Sequence, residues 1–263
     1  MAKFYLIDAI ISPLRVLPSN VLARVLGVIP ARLASTRFPG KPLVPINGKP
    51  MLQHVFERAC LCRTLDQVIV ATDDRLIADV AKGFGAVVQM TSASHLSGTD
   101  RVAEVSGNHE HEIVVNIQGD EPMIDPGAID LAVQGLKEHP KALMSTLKRP
   151  IDRLDEITNP NVVKVVTDGE GMAIYFSRSP IPYNRGGAVT YYKHIGLYVY
   201  QREFLLDYST LPVGPLERAE RLEQLRALEN GFAIHVSETQ YESLGVDTPE
   251  DLSRVQAHLG SLS

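Results

Sequence analysis

No apolar run in this 263-residue chain reaches the roughly 20 residues that a bilayer-spanning helix needs. The stretch 4–11 comes nearest, but Asp8 interrupts it and Ser12, Pro13 and Arg15 follow. Read as a leader, it has only Lys3 beside the amino terminus as a basic flank, and no small-residue cleavage site follows. Residues 1–23 therefore read as an appended or frayed extension, with a subunit contact as the alternative, and residues 24–263 as the functional domain. The chain is expected to be cytoplasmic, with no membrane partner. Cysteine is equally scarce: Cys60 and Cys62 lie too close together to staple the fold and are too few for a zinc site, so both read as packed or idle thiols. Positive charge is not in excess. A net charge of −5 argues against nucleic acid as the main partner, because binding a polyanion takes many Lys and Arg contacts, whereas a small phosphate needs only a local cluster. Several catalytic signatures are missing too: there is no G-x-G-x-x-G fingerprint, no G-x-S-x-G elbow and no D-x-D after a middle strand.

What remains is ordinary globular composition, 44% hydrophobic and 22% charged, with a clear alternation of patterns. Residues 25–29 form a short apolar run ended by Pro30, suited to a buried strand, and Leu52, Val55, Phe56 and Ala59 then follow helical spacing. The unit repeats. Residues 67–71 read as a strand and Leu76, Ile77, Val80, Ala81 and Phe84 as a helix that Gly85 can end; residues 86–90 start another strand. Residues 113–117 read as a strand, and Asp125-Pro126 opens a helix with Ile129, Val133 and Leu136 on its apolar face. Such alternation predicts a three-layer α/β/α fold around a largely parallel sheet. In the second half, 162–167 and 172–177 flank the turn sequence at 168–171, so antiparallel strands are expected to make the sheet mixed. The Pro- and Gly-rich stretch 179–190 reads as a long loop suited to covering a substrate, and 191–200 as a strand. Leu216, Ala219, Leu222 and Leu225 predict one helix running to about Gly231, and Thr248-Pro249-Glu250-Asp251 a capped helix start.

The loop after the first strand, residues 30–42, gathers Arg32, Arg37 and Lys41 with Ser35, Thr36 and Gly40. Ligands of open α/β sheets collect at the carboxyl ends of strands, so this loop can cradle phosphates; a solvated basic loop is the competing reading. It is not a Walker A loop, because Pro42 stands where a Ser or Thr is required. Lys41 is expected to be an exposed loop cation. Asp120 follows the 113–117 strand, and Asp247 is expected to end a strand just before a capped helix. The two can thus meet at one sheet edge and hold Mg²⁺, with a turn role for Asp120 and a cap role for Asp247 as alternatives. Arg178 can pair with a carboxylate and Glu223 can accept from hydroxyls, although by position alone Glu223 reads as a surface acid on the 216–228 helix and His194 as a packed histidine.

From residue 25 onward, an ordered series of motifs resembles the sugar-acid cytidylyltransferases, specifically the 3-deoxy-manno-octulosonate (Kdo) cytidylyltransferase family. The series is GVIPARLASTRFPGKP at 27–42, VATDD at 70–74, SGTDR at 97–101, VNIQGDEP at 115–122, YFSRSPIP at 175–182, YKHIG at 192–196, LEQLR at 222–226 and GVDTP at 245–249. The resemblance implies a nucleotide-diphospho-sugar transferase-like (Rossmann-like) fold, the chemistry of CMP transfer from CTP to Kdo for lipopolysaccharide synthesis, and a homodimer. It implies that Arg32, Ser35 and Lys41 hold the CTP phosphates, with Ala71, Thr72, Asp73, Ser97 and Arg101 near cytosine and ribose. Arg178, His194, Glu223 and Gln224 match Kdo-contacting positions, with Gln118 beside them, and Asp120 and Asp247 match the magnesium pair. By the same resemblance, Arg32, Lys41, Asp120 and Asp247 carry catalysis. Two other readings stay open: a cytidylyltransferase for another sugar acid such as a sialic acid, and a noncatalytic nucleotide-binding module.

Overall fold

The computed structural model describes residues 23–33 and 38–261. Residues 1–22 of the 1–23 extension, and Ser35, lie outside the described residues. Strand β1 (Val25–Ala31) leads through a 3-10 turn (Lys41–Leu43) and a small ribbon of β2 (Pro45–Ile46) and β3 (Lys49–Pro50) into α1 (Met51–Ala59). Then come β4 (Gln67–Thr72), α2 (Arg75–Gly83), β5 (Val87–Met90), α3 (Gly98–Gly107), β6 (Ile113–Asn116), α4 (Pro126–Glu138) and β7 (Ala142–Pro150). The second half adds α5 (Leu154–Thr158), β8 (Lys164–Thr167), β9 (Ala173–Ser177), β10 (Tyr192–Gln201), α6 (Arg202–Tyr208), α7 (Pro215–Glu220), α8 (Leu225–Glu229), β11 (Ala233–Glu238) and α9 (Pro249–Ser261).

The main sheet runs β11-β7-β10-β6-β1-β4-β5, with β8 and β9 attached through β10. β1 is parallel to both β4 and β6, and β5 is parallel to β4, while β10 is antiparallel to β6 and β7. The sheet is therefore mixed, as expected, and helices cover its two faces. Alternation along β1 divides the core: Val25, Ile29 and Ala31 join the cluster that includes Leu52, Val70 and Ile129, whereas Leu26 and Val28 join that of Val102, Tyr200 and Leu225. A third cluster, Ile46, Met51, Val246 and Val255, fastens the ribbon and α9 to each other. After β1 the chain builds outward through β4 and β5, then crosses back to β6 on β1's other side. The carboxyl ends of β1, β4 and β6 thus flank a topological switch point, where ligands of open α/β sheets bind.

Two local expectations change. Residues 241–247 form no strand or helix; Val246 N–H donates to the Asp120 carbonyl at 2.9 Å, which still brings Asp247 to the end of β6. The expected 216–228 helix is two helices, because Arg221 takes a left-handed conformation (φ 52°) and breaks it. Glu223 and Gln224 consequently lie in the turn between α7 and α8 rather than on a solvated helix face.

Candidate active site

At the switch point lies a cleft of about 290 Å³ that draws its walls from five separate segments. Ala31 and Arg32 come from the end of β1, Lys41 from the 3-10 turn, Ser97 and Arg101 from α3, Gln118 and Asp120 from the loop after β6, and Asp247 from the segment before α9. Gly40, at φ 73°, turns the chain so that Lys41 enters the cleft. Gly119 lets the β6 loop lie against β1: a Cβ there would sit 2.9 Å from the Pro30 carbonyl oxygen.

Lys41 Nζ donates to Asp120 Oδ2 at 2.7 Å and to Asp247 Oδ1 at 3.0 Å. Burial by itself would lower the lysine's pKa, but the two carboxylates together outweigh it and hold the ammonium firmly charged. Lys41 is thus not an exposed loop cation: its side chain is 14% exposed. Two acids against one cation leave a net negative centre. Both carboxylates reach a single point with hard oxygen donors, a set suited to Mg²⁺, which takes one or two protein carboxylates and completes its shell from water and phosphate. Among the described residues no group of three or more His, Cys, Asp or Glu side chains gathers as a metal site.

The side of the cleft formed by α3 is rigidly built. Ser97 caps α3, accepting from Asp100 N–H at 3.0 Å while the Asp100 carboxylate accepts from Ser97 N–H at 3.1 Å. Arg101, buried, pairs with Asp73 at 3.2 Å and donates to Thr91 Oγ1, tying α3 to the ends of β4 and β5. Ala71 and Thr72 are buried in β4, and Thr72 Oγ1 accepts from Asp74 N–H. Arg32 is exposed at the cleft's edge. His95 also lines the cleft, its ring held on Glu104; nothing in the periodicity around it marks it.

On the other side of α3's first turn is a second pocket of about 200 Å³, lined by Thr99, Tyr198, Tyr200, Tyr208, Glu223 and Gln224 among others. The first turn of α3 therefore borders both cavities. Burial raises the Glu223 pKa, partly countered by its bond to Thr99. Gln224 is buried; its Oε1 accepts from the Tyr198 hydroxyl at 3.2 Å, and its Nε2 has no partner. A buried donor left unpaired is costly and marks a place for a ligand oxygen. Sequence pattern marks Tyr198 and Tyr200 only as strand residues and leaves Tyr208, on α6, unmarked.

Three of the expected acceptor residues stand apart from this pocket's lining. Gln118 lines the first cleft with Asp120. Arg178 spends its guanidinium on main-chain carbonyls, Nε to Glu220 at 2.7 Å and Nη1 to Pro160 at 2.9 Å. His194 lies in β10 with its ring edge-on to Phe176 and 5.4 Å from the Tyr198 ring. Thr146 gives its own proton to the Leu197 carbonyl, so the 2.9 Å contact is His194 Nε2–H donating to Thr146 Oγ1, and burial drives the imidazole pKa down to about 3.

Residues 26–239 match the family model described as Cytidylyltransferase. A 3-deoxy-manno-octulosonate cytidylyltransferase of Solibacter usitatus is 66% identical over 234 residues, 88% of this chain and 93% of that protein. Its counterpart in Syntrophotalea carbinolica is 56% identical over 248 residues, 90% of this chain and 99% of that protein. The solved structure of a CMP:2-keto-3-deoxy-manno-octonic acid synthetase complexed with CTP superposes with a TM-score of 0.88 at 44% identity, covering 92% of this chain and all of that one. A 4-diphosphocytidyl-2C-methyl-D-erythritol synthase from Anaerococcus prevotii shares the fold at a TM-score of 0.60 and 14% identity. With its acid-flanked lysine at the switch point and identity to relatives extending over nearly their whole length, the chain belongs to the 3-deoxy-manno-octulosonate cytidylyltransferase family.

Proposed function

We propose that the protein transfers CMP from CTP to the anomeric hydroxyl of Kdo, giving CMP-Kdo and pyrophosphate, the activated sugar used in lipopolysaccharide synthesis. The observation that carries the reading is the pair of cavities sharing the first turn of α3: a cleft of about 290 Å³ with cations and two acids on one side, a polar pocket lined by tyrosines, Glu223 and Gln224 on the other. Arg32 and Lys41 neutralise the phosphates and stabilise the departing pyrophosphate, with Ser35 from the same loop. Ser97 and Arg101 frame the nucleoside with the backbone of Ala71, Thr72 and Asp73. Glu223 and Gln224 bind the sugar hydroxyls, and the neutral His194 and Arg178 buttress that side. Asp120 and Asp247 would hold Mg²⁺, which when bound supplies charge neutralisation at the α-phosphate and lowers the pKa of the attacking hydroxyl. Holding both substrates across one helix turn supplies the in-line alignment on which phosphoryl transfer depends. Among the described residues no helix is long and apolar enough to cross a membrane; we place the enzyme in the cytoplasm, as a homodimer.

The test is pyrophosphate release with CTP, Mg²⁺ and Kdo, each omitted in turn, then with a sialic acid in place of Kdo. Release is expected only with all three. Equal turnover on the sialic acid would move the acceptor assignment, and no release with any sugar acid would overturn the reading.

A further inference from the structure

Glu223 and Gln224 stand in a turn, not on a regular element, so contacts beyond the turn itself must fix them. Arg226, on α8, reaches back to α7 and makes two parallel bonds to Glu217, Nε–Oε2 at 2.9 Å and Nη2–Oε1 at 2.7 Å. Both side chains are nearly buried, 15% and 11% exposed. The same guanidinium lies over the Tyr208 ring, 5.3 Å from its centroid, and the Tyr208 hydroxyl donates to the Glu223 carbonyl at 2.7 Å. A second strap runs alongside: the Glu229 carboxylate accepts from Leu216 and Glu217 N–H at 2.8 and 2.9 Å. The left-handed Arg221 thus opens the turn, and four side chains, Tyr208, Glu217, Arg226 and Glu229, close it.

A buried ion pair is a weak stabiliser compared with apolar packing, but a bidentate Arg–carboxylate pair fixes direction as well as distance. Direction is what the neighbouring pocket requires. The Gln224 carboxamide is pinned through its oxygen by Tyr198, leaving Nε2 as an unpaired donor, and a shift of the turn would misaim it. We propose that Tyr208, Glu217 and Arg226 are positioning residues that set the aim of Glu223 and Gln224, and thereby the enzyme's affinity for its sugar-acid acceptor. The proposal rests on the acceptor reading of the second pocket.

Glu217 and Arg226 do not line the pocket, whereas Tyr208 does, and this separates positioning from direct contact. Arg226→Lys keeps the charge and loses the fork; Tyr208→Phe keeps the ring and loses the hydroxyl. Each is expected to raise KM for Kdo about tenfold with KM for CTP unchanged, and the double variant to be no worse than the poorer single one. Glu217→Gln, which retains one of the two bonds, replaces Arg226→Lys if that variant melts well below the wild type. Glu223→Gln is measured in the same assays. If it leaves KM for Kdo unchanged, the acceptor reading of the pocket fails and takes this proposal with it. If Glu223→Gln raises that KM while Arg226→Lys and Glu217→Gln do not, the acceptor reading stands and the positioning role falls. A parallel rise in both KM values tracking a lower Tm reduces the trio to fold maintenance and also overturns it.

Discussion

At the scale of single residues, the lysine between two acids decides most. Because Lys41 is part-buried and bridges Asp120 and Asp247, removing it leaves two carboxylates facing each other as well as removing a phosphate ligand. Lys41→Ala should therefore abolish most turnover and also cost on the order of 1 kcal/mol of stability in chelator, a Tm drop of about 2–4 °C. Saturating Mg²⁺ should restore the Tm but not the activity; wild-type turnover in this variant would remove the loop from the mechanism. The two acids are expected to act as one unit. Asp120→Asn and Asp247→Asn should each lose most activity, with the double variant scarcely worse and excess Mg²⁺ partly rescuing the singles. Additive losses indifferent to Mg²⁺ would sink the shared site. His194 gives a pH signature. Its imidazole, held near pKa 3 by burial, titrates near 6.5 when unfolded, so between those values the unfolded chain binds more protons and stability falls as pH falls. The loss at about 1.4 kcal/mol per pH unit amounts to about 2 kcal/mol by pH 5. Melting curves from pH 7 to 5 should be shallower for His194→Asn than for the wild type by roughly that amount, and identical slopes would refute the assignment.

Elements place these residues only where close approaches permit. The β6 loop meets the end of β1 at Gly119, where a methyl group would press on a main-chain oxygen that cannot swing aside. Gly119→Ala should lower both Tm and kcat, since Gln118 and Asp120 move together away from Lys41, whereas Gly169→Ala, facing open space, should change neither. Equal behaviour of the two variants would show that the loop tolerates displacement. The helix expected at 216–228 illustrates why periodicity misleads here: Leu222 and Leu225 are buried but Leu216 and Ala219 are exposed, so the apolar spacing does not mark one continuous face, and the break at Arg221 turns two polar residues toward a pocket. Likewise, 241–247 pairs with the β6 loop through Val246 without extending the sheet. Its successor, α9, starts as its sequence requires, Thr248 Oγ1 accepting from Asp251 N–H and the Asp251 carboxylate from Thr248 N–H.

For the molecule as a whole, the match covers nearly all of each relative while about a tenth of this chain lies outside it. A chain beginning at Ala23, which retains the Arg24 bonds to Glu112 and Glu110, is expected to keep its Tm, activity and oligomeric state; dissociation or aggregation on truncation would assign residues 1–22 to an interface instead. The alternation of strand and helix and the capped start of the last helix just after Asp247 were legible in the linear pattern, because the periods of burial and the caps are local. So was the family, through motifs that keep their order. Which of those motifs share a cavity was not legible. The tertiary fold brings Asp120 and Asp247 to one ammonium, although they are far apart in sequence. The same folding ties the Arg178 guanidinium to main-chain carbonyls, while Tyr198, Tyr208 and Thr99, which local pattern leaves unmarked, wall a pocket. Sequence by itself fixes which groups can carry charge and where elements begin; only tertiary contact decides which groups are desolvated together, and desolvation is what turns a charge or an amide into a site.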